Sequence, residues 1–278
     1  MKTRAAAAMT VLGLACGGFA INDGAASAAP TSPAVGTTAD GAVQTNALTL
    51  VFKDNFNGSK LSSAWHFRNA RAPQRKCSVP DSRLARVNNG KLFLSVRRDA
   101  SKKPNVTSRC PNGQFLNAMI ATSKTFGYGR YSARIKFHRP KGAHGSFWLQ
   151  SQSTEVDTIE YFGKPGSKGG GLRSYVHRPS GDNKFITSGG PLKASKVRAI
   201  IGNHYASDAF HTYTVDWTPS AYTFSIDGKV TLRVTGSISK QPVFLVLSLL
   251  TSDYEIPALK YANLPFSMQV DWVKVWKR

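Results

Sequence analysis

Tyr222-Thr223-Phe224-Ser225-Ile226-Asp227-Gly228 is the stretch on which the fold class turns. Large and small polar side chains alternate along its first five residues. Asp-Gly then stands where a two-residue turn needs positive φ, before a second alternating run begins. That is a β-hairpin. The same texture continues outward in both directions. Leu92-Phe93-Leu94-Ser95-Val96 follows the turn signal Asn88-Asn89-Gly90, Arg130 to Phe137 alternates behind Gly127 and Gly129, and Val243 to Leu249 is another strand-like run. At the C-terminus, Met268, Val270 and Trp272 are expected on one strand face and Gln269, Asp271 and Val273 on the other. Helical periodicity is confined to Leu192 to Ile201, which predicts one short helix. Strands without alternating helices, and without a repeat of roughly 20–50 residues, predict an antiparallel all-β sandwich rather than a propeller or solenoid.

The chain has 278 residues, 41% hydrophobic and 19% charged, which excludes a disordered polyelectrolyte and leaves enough apolar surface for a sizeable core. No apolar stretch reaches the ~20 residues of a membrane span. Lys2 and Arg4, an apolar stretch from Ala5 to Ala20, and Ala26-Ser27-Ala28 together read as a signal peptide over residues 1–28. A lipoprotein signal at Cys16 is the competing reading, and Gly13 stands where such a signal has Leu. Residues 29–46, rich in Ala, Pro, Thr and Gly, read as a flexible leader, and residues 47–278 as one all-β domain. Removing the signal takes one unit from a net charge of +22, so the basicity belongs to the mature chain. Its two cysteines, Cys77 and Cys110, are expected to form one structural disulfide in an oxidising compartment.

Acidic residues are scarce, yet Ser153-Thr154-Glu155-Val156-Asp157-Thr158-Ile159-Glu160-Tyr161-Phe162 places three within six positions. On a strand Glu155 and Asp157 share a face, whereas Glu160 falls on the other. One extra residue, a β-bulge around Thr158-Ile159, returns Glu160 to the first face. Three like charges there resist simultaneous ionisation, so one carboxyl keeps its proton. A retaining glycosidase needs that pairing, an ionised nucleophile and a protonated acid about 5–5.5 Å apart. Two plainer readings compete: a solvated strand face paired with basic residues, and a calcium site. Trp148, Tyr161 and Phe162 nearby favour a sugar, because apolar sugar faces pack on rings.

These residues resemble glycoside hydrolase family 16, the laminarinase and lichenase family of β-jelly rolls, whose bulged subgroup carries E-x-D-x-x-E. The resemblance extends along the domain. It includes Phe52-Lys53-Asp54-Asn55-Phe56-Asn57-Gly58 with Trp65, Tyr128 to Lys136, Ser146-Phe147-Trp148-Leu149, Phe210 to Pro219 with Ile226-Asp227-Gly228, and Val270 to Trp276. It implies a jelly-roll sandwich of two antiparallel sheets around a concave substrate cleft. It further implies Glu155 as nucleophile, Glu160 as general acid/base and Asp157 as the residue that tunes them. Trp148, His177, Trp217 and Arg134 are expected to contact substrate. Gly90 and Asp271 match a structural calcium site of some relatives, and no other cofactor is implied. Asn55, Ser132 and Ser146 depart from the family's usual Glu, Glu and Ala, and the segment from Leu149 to Thr154 is short and polar. These departures bear on the substrate.

The expected activity is therefore a secreted, monomeric, retaining endo-β-glycosidase acting on a β-1,3- or β-1,3-1,4-glucan, with a galactan or an anionic polysaccharide as the alternative. Arg68, Arg71, Arg75, Lys76, Arg83 and Arg86, with Arg97, Arg98, Lys102 and Lys103, crowd one part of the sequence. They read first as an adhesion device for anionic cell walls, and second as part of an anion-binding cleft. Nucleic-acid binding predicts aromatics interleaved with the basic residues, and here they are few. A non-catalytic polysaccharide-binding lectin on the same fold does not need the coupled carboxylates.

Overall fold

The computed structural model describes residues 47–68, 77–98, 110, 114–180, 185–252 and 254–278. The expected signal peptide and leader lie outside them, as do Arg71, Arg75, Lys76, Lys102 and Lys103. The described strands belong to the compact unit Ala47–Arg278. In chain order they are β1 (Thr49–Asp54), β2 (Trp65–Phe67), β3 (Ser78–Pro80), β4 (Ala85–Asn88), β5 (Lys91–Arg98) and β6 (Phe115–Thr122). Next come β7 (Gly129–Lys136), β8 (Ala143–Gln150), β9 (Glu155–Tyr161), β10 (Leu172–Pro179) and β11 (Phe185–Pro191). Among the described residues one α-helix, α1 (Ala194–Ile201), fills the predicted place. Then follow β12 (His211–Trp217), β13 (Ala221–Ile226), β14 (Lys229–Thr235), β15 (Phe244–Thr251) and β16 (Phe266–Lys277).

One layer runs β5-β16-β7-β12-β13-β14, the other β11-β10-β9-β8-β15-β6, and pairing of β5 with β6 joins them into one continuous path. The joint is short: Arg97 pairs with Leu116 and Arg98 with Phe115. All ladders are antiparallel except that between β3 and β6. Cys77, which precedes β3, is bridged to Cys110. Alternation then builds the core. Tyr131, Ile135, Tyr213, Val215 and Phe224 of the first layer face Phe147, Leu149, Val156, Ile159 and Leu247 of the second, all at most 1% exposed. The opening hairpin signal is realised as β13–β14, with Ile226 opposite Lys229. Asp227 and Gly228 both take positive φ, the backbone that a two-residue turn between twisted strands requires.

Strand β16 departs from simple alternation. Val270 pairs with Ile135 but Trp272 with Arg134, so Asp271 is an inserted residue. Met268 and Val270 face the core before the bulge, Val273 and Val275 after it, and Trp272 turns outward. The expected sharing of one face by Val270 and Trp272 is thus corrected by one bulge.

Candidate active site

Register against both neighbours of β9 fixes where its carboxylates point. On β8, Phe147 pairs with Ile159 but Trp148 with Asp157. On β10, Arg173 pairs with Glu160 but Tyr175 with Asp157. Thr158 is the extra residue against β8, and Thr158-Ile159 together stand opposite Ser174 of β10, the bulge that the acidic spacing predicts. Val156 and Ile159 therefore enter the core, and Glu155, Asp157 and Glu160 share the opposite face.

Each carboxylate has its own surroundings. Asp157 is buried, with Oδ2 lying 3.2 Å from His177 Nε2. His177 Nδ1 is 2.9 Å from Thr187 Oγ1, which anchors the ring to the edge strand β11. Glu160 Oε1 lies 2.6 Å from His144 Nε2, with both side chains largely buried. That nitrogen is also 3.0 Å from Ser146 Oγ, and the imidazole stacks on Phe162 at 4.2 Å. On the ring of Phe162 lies Arg173, 4.4 Å from its centroid. Trp148 pairs with Asp157, between the β8 partners of the two glutamates. It packs on Met119, Ala121, Val246 and Leu250, a small apolar cluster apart from the main core. Its Nε1 donates to Ser248 Oγ at 3.2 Å, which fixes the plane of the indole. Arg68 lies over the same ring, 5.4 Å from its centroid. Burial pulls the Arg68 guanidinium below its ordinary pKa, and the negative charge of Glu155 opposes that shift.

A cleft-facing pair of glutamates beside a tryptophan, on the second layer of a jelly-roll-like sandwich, is what the family resemblance implies. The sequence profile of Glycosyl hydrolases family 16 matches residues 72–274. The chain belongs to glycoside hydrolase family 16. It is 26% identical over 228 residues to a β-glucanase of Paenibacillus polymyxa, a match covering 79% of this chain and 83% of that one. It is also 26% identical over 240 residues to Gram-negative bacteria-binding protein 3 of Drosophila melanogaster, covering 69% of this chain and 47% of that longer one. Among solved structures, the endo-β-1,3-glucanase of Pyrococcus furiosus superimposes with a TM-score of 0.65 at 19% identity, over 83% of this chain and 94% of that one. This family-16 chain is a glycoside hydrolase, and its fold is the one that the family shares.

Not every residue expected at the family-16 site is there. Trp148 and His177 join the carboxylates, but Trp217 and Arg134 do not. Trp217 is 1% exposed in the core, packed on Tyr128 and stacked on Tyr222, with Nε1 donating to the Ser239 carbonyl. Strand parity sends it inward with Tyr213 and Val215. Arg134 lies on β7 in the other layer, where it pairs with Asp271 at 2.6 Å and covers Phe210. That ion pair also bears on calcium. Gly90 sits in the turn between β4 and β5, and Asp271 already has a guanidinium as its counter-cation, so this donor set does not fit a calcium ion. Among the described residues, the one group of three metal-ligating side chains within 4.8 Å of one another is Glu155, Asp157 and His177. The Asp157–His177 contact holds two of the three together. His144 escapes a reading of the sequence, because its partner Glu160 is reached only through the β8–β9 pairing.

Proposed function

We propose that the chain is a secreted, monomeric, retaining endo-β-glycosidase whose polysaccharide is a β-1,3- or β-1,3-1,4-linked glucan. The observation that carries this reading is the Thr158 bulge, which puts Glu155 and Glu160 on one face with Asp157 between them. In the first step the Glu155 carboxylate attacks the anomeric carbon while Glu160 protonates the departing oxygen. The glycosyl–enzyme ester then forms on Glu155. In the second step Glu160, now ionised, takes a proton from water, which attacks the same carbon from the vacated side and restores the original configuration. Asp157, held by His177, sits next to the nucleophile on the strand and stiffens its position, while Trp148 offers a ring to the sugar at the cleaved bond. No cofactor takes part in this scheme. The β-glucanase relative supports the glucan.

The test is reducing-end release from laminarin and lichenan by the wild type and by Glu155→Gln and Glu160→Gln. Each substitution is expected to lower kcat by about 10³-fold or more on a substrate with a poor leaving group. Proton NMR of the first products is expected to show the β-anomer. Variants that fold and cleave at wild-type rates sink the mechanism. A relative that bears the name of a binding protein favours a second reading, in which the chain holds polysaccharide without cleaving it. Binding without product release in the wild type decides for that reading. Secretion is checked by N-terminal sequencing of the exported protein, which is expected to begin at Ala29.

A further inference from the structure

We propose that the cleft contains an anion-binding position built on Arg68, and that the polysaccharide it cleaves carries carboxylate or sulfate groups on the sugar stacked on Trp148. The proposal rests on the hydrolase reading above and adds to it the chemistry of the substituent.

Arg68 is held in the cleft by its own backbone. Its N–H donates to the Met119 carbonyl at 2.9 Å, which carries the β2–β6 ladder one residue further. Parity then places its side chain on the face of His66 and Met119, the face that also holds Trp148. Stacked over the indole, the guanidinium has its Nη1 buried and without a hydrogen-bond partner. A buried charged donor left unpaired is costly, and a ligand that completes it removes the cost. Four arginines elsewhere do find a carboxylate. Arg83, Arg130, Arg134 and Arg278 each reach an aspartate within 4.0 Å, in a chain with 15 acidic residues against 37 basic ones. Arg68 has no such partner among the described residues, although Glu155 is near enough to feel its charge. Glu155, moreover, loses that charge when the glycosyl ester forms. Through the covalent intermediate, the half-buried guanidinium loses that compensation, and an anion on the substrate replaces it.

A guanidinium presents a planar fork of N–H donors, which matches the two oxygens of a carboxylate or of one edge of a sulfate. A sugar hydroxyl satisfies one donor but leaves the half-buried charge without a counter-ion. Arg173 makes a second such cation on the Glu160 side. It covers Phe162 and forms no ion pair among the described residues. The net charge of +22 then steers an acidic polymer toward a cleft bracketed by two arginines.

The experiment uses one backbone in three forms: laminarin, C6-oxidised laminarin carrying carboxylates, and sulfated laminarin. Values of kcat/KM are measured at fixed ionic strength for the wild type, Arg68→Gln, Arg68→Lys and Arg233→Gln. The last removes one exposed charge from β14 and serves as the control for general electrostatics. The wild type and Arg233→Gln are expected to prefer an acidic form over neutral laminarin by about tenfold or more, and Arg68→Gln to lose that preference. Preference for the oxidised form alone identifies a carboxylate, and for the sulfated form alone a sulfate. Arg68→Lys keeps the charge without the fork and carries the test where the glutamine variant does not fold; a reduced preference supports the proposal. Equal rates on all three polymers, or an unchanged preference in the Arg68 variants, overturn it. Should the wild type cleave none of them, the hydrolase reading fails separately. Affinity electrophoresis then decides: Arg68-dependent retention by the acidic forms sustains the anion position, and equal retention by neutral laminarin removes it.

Discussion

His144 and Glu160 meet at 2.6 Å with both side chains largely buried, so whatever the imidazole does is felt by the carboxyl proposed as general acid/base. A hydrogen bond in that setting orients Glu160 and fixes which of its oxygens faces the leaving group. Stacking on Phe162 in turn fixes the imidazole. His144→Phe is expected to lower kcat by about 10–100-fold on a polysaccharide, where the departing sugar needs a proton. With a β-glycosyl fluoride, whose leaving group needs little acid help, the loss is expected to shrink to a few-fold. An equal loss on both substrates means that His144 supports only the fold. The sequence does not mark this residue: Ala143-His144-Gly145 has no motif, and Glu160 lies sixteen positions away. Glu155, Asp157 and Glu160 are legible because their scarcity and spacing are local. Arg68 is legible as one of a basic cluster with a cleft as its second reading, but which member enters the cleft is not, since only the β2–β6 ladder places it there.

Two bulges govern the strands that matter, and they differ in how they can be read. At Thr158 the carboxylates themselves announce the irregularity, because straight alternation turns Glu160 into the core. At Asp271 nothing local does so; the residue bulges where it reaches Arg134, 137 positions earlier in the chain. Trp217 went the same way, since parity alone admits either a cleft or a core and only the packing on Tyr131 and Tyr222 of the neighbouring strands decides. The role of the first bulge predicts an asymmetry. Deleting Thr158 restores alternation with Glu155, Asp157 and Glu160 still on one face, so the variant is expected to fold and keep measurable cleavage. Deleting Thr158 and Ile159 together puts Glu160 three positions after Glu155, which drives it toward the core and Tyr161 toward the cleft. That variant is expected to lose several kcal/mol of stability, roughly the cost of burying an unpaired carboxyl and losing a buried isoleucine, and all activity. Urea denaturation with reducing-end assays on both variants checks this, and equal behaviour of the two overturns it.

At the scale of the whole molecule, one imidazole ties the two layers together and makes the fold sensitive to acid. His138 follows β7, is 1% exposed, and lies against Phe266 of β16 and Tyr161 of β9. Its Nε2 reaches the Ala143 carbonyl on β8 at 3.2 Å. Burial pushes its pKa down to about 3, the carbonyl pulls the other way, and the charge of His144 pushes it further down. In the unfolded chain the same imidazole titrates near its ordinary value of about 6.5. Between those values the unfolded state holds the extra proton, so stability is full above pH ~6.5 and declines as pH falls, by about 1.4 kcal/mol per unit. Asp227 does not confuse that window. Its burial, which pushes its pKa up, is outweighed by His211, the Thr212 N–H and Arg134, so the value is lowered and its stabilisation is lost only toward more acidic pH. Urea denaturation at pH 7 and pH 5 is therefore expected to show His138 costing the wild type roughly 2 kcal/mol at the lower pH. In His138→Phe, which keeps a ring between Tyr161 and Phe266, baseline stability falls by about 1 kcal/mol for the lost hydrogen bond, but the His138 share of the acid loss disappears. If the variant loses as much between pH 7 and pH 5 as the wild type, the acid sensitivity belongs to other groups, and the imidazole between the layers is only a packing element.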